Sequence, residues 1–148
     1  MKKDHRRHKV IIIAEDDPDD RMLIREALTE ANITGDLRFV NDGEALMDLL
    51  AQDDAASMTQ SVKPELILLD LNMPRKDGWQ VLREIKANTE LCYIPVVILT
   101  TSNQQEDVQR SYELGGSGFI TKPGSYGELV QALRNMYQYW FQTVRLPS

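Results

Sequence analysis

The residues best suited to chemistry in this chain stand just past short apolar runs. Glu15, Asp16 and Asp17 follow Val10–Ala14. Asp70 follows Leu66–Leu69 and leads into Leu71, Asn72, Met73 and Pro74. Thr100, Thr101 and Ser102 follow Val96–Leu99, and Lys122 with Pro123 follows Gly118–Thr121. Carboxylates sharing a crevice repel one another unless a cation or proton relieves them. A small set of oxygen ligands without His or Cys favours Mg²⁺, which keeps waters and needs only one or two carboxylates plus a phosphoryl oxygen. In such a site Asp70 is a carboxylate nucleophile that forms an acyl-phosphate. Thr100 donates to one phosphoryl oxygen and Lys122 neutralises another. Positioning and charge of this kind are most of what phosphoryl transfer asks of a protein.

Elements must bring these residues together. Continuous runs rich in Val, Ile and Leu, bounded by polar residues, read as strands buried on both faces, as in a parallel sheet. Leu37–Val40 is a further run of this kind. Between the runs, Leu23, Ile24, Ala27, Leu28 and Ala31 share a helical face. So do Ala45, Leu46, Leu49 and Leu50, and then Val81, Leu82 and Ile85. Asp17 before Pro18 predicts an N-cap followed by a first-turn proline. Ser102 or Asn103 is expected to cap a helix running to about Leu114, stopped by Gly115 and Gly116. The alternation predicts an α/β fold of five βα units, a doubly wound parallel sheet with right-handed crossovers. Its site forms beyond the carboxyl ends of the strands. The polar stretch Gln52–Lys63 reads as a surface loop.

Size and charge narrow the classes. A chain of 148 residues predicts one domain. A net charge of −6 argues against tracking a phosphate backbone, so no nucleic-acid partner is expected. A single cysteine, Cys92, excludes an internal disulfide and suits a reducing cytosol, so a cytoplasmic location is expected. No apolar run reaches the roughly 18–20 residues of a membrane span, and no membrane partner is expected. His5 and His8 lie among Lys2, Lys3, Arg6, Arg7 and Lys9, and residues 1–8 read as a basic flexible tail.

Four motifs in order carry a resemblance: Val10–Pro18 with its acidic triplet, Leu66–Pro74 with Asp77 and Gly78, Ile94–Thr100, and Gly118–Pro123. The chain resembles the receiver domain of two-component response regulators over about residues 9–133. The resemblance implies the flavodoxin-like strand order 2-1-3-4-5, for which a member of this family is itself a standard illustration. It implies that Asp70 is the phosphoacceptor and that Glu15, Asp16 and Asp70, with the Asn72 carbonyl, hold Mg²⁺, Asp16 being the more direct ligand. Thr100 and Lys122 then sense the phosphoryl group, and Phe119 is the aromatic that turns inward when the hydroxyl moves. Lys122–Pro123 matches the family's usual cis peptide, which the low cost of cis X–Pro makes accessible.

The C-terminal stretch is unusual. Leu129, Val130, Leu133, Met136, Tyr137, Trp140, Phe141 and Val144 keep helical spacing almost to Pro147. Large apolar groups with little chain left to cover them mark an interface. Residues 134–148 are therefore expected to form a helix extension through which Tyr137, Trp140, Phe141 and Val144 make a symmetric homodimer; the competing reading folds them back on their own domain. The tail from Tyr139 to Pro147 also resembles that of small stand-alone regulators serving cyanobacterial and bacterial phytochromes. The function expected is that of a stand-alone regulator, phosphorylated on Asp70 by a sensor histidine kinase and signalling through protein contacts. Its chemistry is limited to phosphotransfer to itself and autodephosphorylation. The alternative is a Mg²⁺-dependent aspartyl phosphatase, but such enzymes carry a second Asp two residues after the nucleophile, where Asn72 stands and cannot act as acid or base. A flavin module would need a phosphate-cradling loop after the first strand, which Glu15, Asp16 and Asp17 would repel. A binding protein that keeps the fold without signalling has no need of Asp70 and Lys122.

Overall fold

A computed structural model describes residues 9–51 and 63–143. The apolar runs become β1 (Val10–Ala14), β2 (Asp36–Val40), β3 (Leu66–Leu69), β4 (Val96–Thr100) and β5 (Gly118–Thr121). The helices between them are α1 (Pro18–Glu30), α2 (Gly43–Leu50), α3 (Gly78–Ala87), α4 (Gln105–Glu113) and α5 (Tyr126–Gln138). All neighbouring strands pair in parallel, and the order is β2-β1-β3-β4-β5. Both the α/β class and the flavodoxin-like order are therefore as expected.

Strand alternation sends successive side chains to opposite faces. Ile11, Ile13, Leu66, Leu68, Val97 and Leu99 face one layer, where Ile24, Ala27 and Leu28 of α1 meet Leu129, Val130 and Leu133 of α5. Ile12, Ala14, Ile67, Leu69, Val96 and Ile98 face the other, with Leu46 of α2 and Val81, Leu82 and Ile85 of α3. The central strands β3 and β4 are buried throughout, whereas the edge strands β2 and β5 are half-buried. That explains the unbroken Leu66–Leu69 run and the polar residues in β2.

Asp17 caps α1, its side chain accepting the amides of Asp19 and Asp20. Asp42 caps α2, Asp77 caps α3 and Ser125 caps α5 in the same way. The expected cap of α4 by Ser102 or Asn103 is corrected. Gln104 is the boundary residue and makes no side-chain cap; Ser102 Oγ instead accepts the Gln104 amide at 3.2 Å and donates to Asp107 at 2.6 Å. Gly115, at φ 101°, ends α4 in a left-handed conformation suited to glycine. No cis peptide occurs among the described residues, so Lys122–Pro123 is trans, contrary to the resemblance.

The described part of the C-terminal extension is helical but changes its winding. After Gln138 the chain widens into a π-helical turn, Tyr139–Thr143. Tyr137, Trp140 and Phe141 pack in part against the α1–α5 layer of their own chain, and Lys9 lies 5.4 Å over the Phe141 ring. This packing covers part of the surface assigned to a dimer. Tyr139 remains 51% exposed. Val144, the 1–8 tail and nearly all of the Gln52–Lys63 loop lie outside the described residues. Among the described residues, no helix is long and apolar enough to cross a membrane.

Candidate phosphoacceptor site

Register assembles the site. Ala14 pairs with Leu69, and the Asp70 amide donates to the Ala14 carbonyl at 3.1 Å, which sets Asp70 beside Glu15 at the edge of the sheet. Thr100 pairs with Thr121, and the Lys122 amide donates to the Thr100 carbonyl at 2.7 Å. One carboxylate oxygen each from Glu15, Asp16 and Asp70 come within 4.8 Å of one another. Glu15 and Asp70 are buried and Asp16 is half-buried. This small all-oxygen set fits a hard divalent cation such as Mg²⁺ or Mn²⁺.

Lys122 is largely buried and reaches across the sheet. Its ammonium donates to Glu15 Oε1 at 2.6 Å and to Asp20 Oδ2 at 2.9 Å, while Asp70 Oδ2 stands farther away at 3.9 Å. Burial drives the Glu15 carboxyl up to about 7; the Lys122 hydrogen bond opposes this and the Asp70 charge adds to it. Burial alone would lower Lys122, but the hydrogen bonds to Glu15 and Asp20 and the charges of Glu15 and Asp70 outweigh it and hold the ammonium above its ordinary value. Thr100 Oγ1 is buried without a hydrogen-bond partner, alone in this among the described side chains.

The loops around these groups are braced. Arg21 Nη1 donates to the carbonyls of Glu15 at 2.8 Å and Asp16 at 3.0 Å. The Asn72 amide donates to Asp70 Oδ1 at 3.3 Å. Arg75, at φ 66°, meets the buried Asp42 at 2.6 Å, tying the Asp70 loop to the start of α2. The Ala45 amide first, and Arg75 with it, hold the Asp42 carboxyl below its ordinary value against the effect of burial. Gly78 permits a close approach: a Cβ there would stand 2.4 Å from the Asp70 carbonyl oxygen. Phe119 is half-buried against the α2–α3 layer.

Glu15, Asp16, Asp70, Thr100 and Lys122 thus meet at one end of the sheet. Asp20, Arg21, Asp42 and Arg75 were not foreseen as parts of this region. In sequence Asp20 shows only as an acid in the first turn of α1.

The response regulator receiver domain family model matches residues 11–134. The chain belongs to the response regulator receiver family. Within it, this receiver is 42% identical to the response regulator Rcp1 of Synechocystis sp. over 140 residues, 95% of this chain and 94% of that protein. The phosphorylated cyanobacterial phytochrome response regulator RcpA superposes with a TM-score of 0.84 at 40% identity, covering 95% of this receiver and 99% of that chain. The Mn²⁺-bound form of Rcp1 superposes at 0.81 with 42% identity, over 95% and 99% of the two chains. The likeness to phytochrome regulators runs through nearly their whole length.

Proposed function

We propose that this receiver accepts a phosphoryl group on Asp70 from the phosphohistidine of a sensor histidine kinase, a phytochrome in the first instance. The observation that carries the reading is the convergence of the Glu15, Asp16 and Asp70 oxygens within 4.8 Å, with the Lys122 ammonium 3.9 Å from Asp70. In the transfer, the N–P bond to the donor imidazole breaks and a carboxylate oxygen of Asp70 bonds to phosphorus as the imidazole leaves. Hydrolysis of the acyl-phosphate returns the carboxylate and inorganic phosphate.

Glu15, Asp16, Asp70 and the Asn72 carbonyl are the residues to hold Mg²⁺. Bound there, the cation supplies the positive charge that lets a phosphoryl group approach a carboxylate cluster. Thr100 brings an uncommitted hydroxyl donor, and Lys122 a cation that can turn from Asp20 toward the phosphoryl oxygens. A Thr100 displacement transmitted to Phe119 on the neighbouring strand would change the surface that partners read. The relatives support the phytochrome assignment: RcpA is a phytochrome regulator solved in its phosphorylated form.

Acetyl phosphate with Mg²⁺ tests the chemistry. Intact mass should show one phosphoryl adduct that is lost in Asp70→Asn and in excess chelator. No adduct on the wild type, or one surviving Asp70→Asn, overturns the assignment. A homodimer through the exposed Tyr139 side of the C-terminal turn belongs to the same proposal. Light scattering should show Tyr139→Asp as a monomer, and a wild type that is itself monomeric with and without phosphorylation rejects it.

A further inference from the structure

Resting on this phosphoacceptor reading, we infer that Asp20 is a positioning residue that holds Lys122 in a resting place and competes with the phosphoryl group for it. Lys122 Nζ is 2.9 Å from Asp20 Oδ2 and 3.9 Å from Asp70 Oδ2. It therefore pairs closely with a carboxylate on α1 rather than with the nucleophile. Glu15 holds the ammonium at 2.6 Å from the other side. The Asp17 cap orients the first turn of α1 and accepts the Asp20 amide at 3.3 Å, which aims the Asp20 side chain across the sheet edge. For Lys122 to reach oxygens on a phosphorylated Asp70, the Asp20 pair must lengthen or break. A ligand shifts an equilibrium only by its differential interaction with the two states. Asp20 binds Lys122 in the unphosphorylated state and loses it in the other, so it biases the receiver toward rest. The Asp20 side chain is 32% exposed and that of Lys122 13%, so the pair is partly screened and its influence is that of a modest ion pair.

The test compares Asp20→Asn with Asp19→Asn. Asp19 is an exposed acid in the same first turn, so its variant loses the same charge at the helix start without a contact to Lys122. In the metal-free, unphosphorylated protein, the ¹³Cε and ¹⁵Nζ resonances of Lys122 should shift in Asp20→Asn and stay in place in Asp19→Asn. In Mg²⁺, beryllofluoride, a stable stand-in for the aspartyl phosphate, should bind Asp20→Asn about two- to fivefold more tightly than wild type. Asp19→Asn should match wild type, and Lys122→Ala should abolish the difference made by Asp20→Asn. Equal or weaker binding by Asp20→Asn, or Lys122 resonances that ignore the substitution, overturns the inference. Failure of the receiver reading shows separately, as a wild type that takes no beryllofluoride at Asp70, while the resonances still report whether Asp20 holds Lys122.

Discussion

Glu15 buries a carboxyl beside Asp70 and meets it with a single ammonium. Its pKa is raised to about 7 chiefly by burial. In the folded, metal-free chain Glu15 binds a proton that the unfolded chain has already released, so its contribution to stability is fully present below the ordinary carboxylate range. That contribution is lost as pH rises through about 7. Without divalent cation, the melting temperature of wild type should fall between pH 5 and pH 8 relative to Glu15→Gln. A parallel pair of curves would contradict the burial account. Thr100 offers the complementary case. Its hydroxyl is fully buried and unpaired, and an unsatisfied group of that kind costs about 1–3 kcal/mol. Thr100→Val keeps the shape and removes the orphan. Urea unfolding should show the variant at least as stable as wild type, while beryllofluoride binding weakens. These residues were legible from sequence because each directly follows an apolar run. Their partners were less legible: nothing local to Lys122 says that it meets Asp20, 102 positions away.

At the scale of elements, α3 and α5 illustrate two kinds of constraint. The α3 helix starts against the Asp70 backbone, and Gly78 makes that approach possible. In Gly78→Ala the loop must shift at the nucleophile. Phosphoryl uptake from acetyl phosphate should fall by roughly tenfold to a hundredfold, as expected when a reacting group is displaced by about an ångström. Circular dichroism should remain that of a folded α/β protein. The α5 helix closes one core layer, and Leu133 is fully buried within it. Leu133→Ala should cost about 2–5 kcal/mol by urea unfolding. The strands and the first three helices follow from apolar spacing, and the start of α1 from its Asp17 cap. The start of α4 does not, because Ser102 is drawn to Asp107 instead of capping. Past Gln138, helical spacing does not separate an α-helix from the π-helical turn Tyr139–Thr143.

For the whole molecule, the carboxylate cluster is an electrostatic cost carried by the fold until a cation arrives. Mg²⁺ at a hundred times its dissociation constant should stabilise the protein by about 2.7 kcal/mol, seen as a higher melting temperature that chelator reverses. Asp70→Asn removes one of the repelling charges, so its metal-free form should melt above wild type and respond less to Mg²⁺. A wild type indifferent to Mg²⁺ would separate this receiver from the divalent chemistry of Mn²⁺-bound Rcp1.

The order of apolar runs, the Asp17 cap, and the acids and lysine just past the strands belong to the sequence by itself. Each depends on neighbours a few positions away, and a parallel sheet gathers strand ends at one edge. Only the tertiary structure decided that Lys122 is shared by Glu15 and Asp20, that Arg75 locks the Asp70 loop to Asp42, and that Tyr137, Trp140 and Phe141 lean on their own core. Those outcomes depend on how far side chains reach across packed elements, a distance in space that spacing along the chain does not encode.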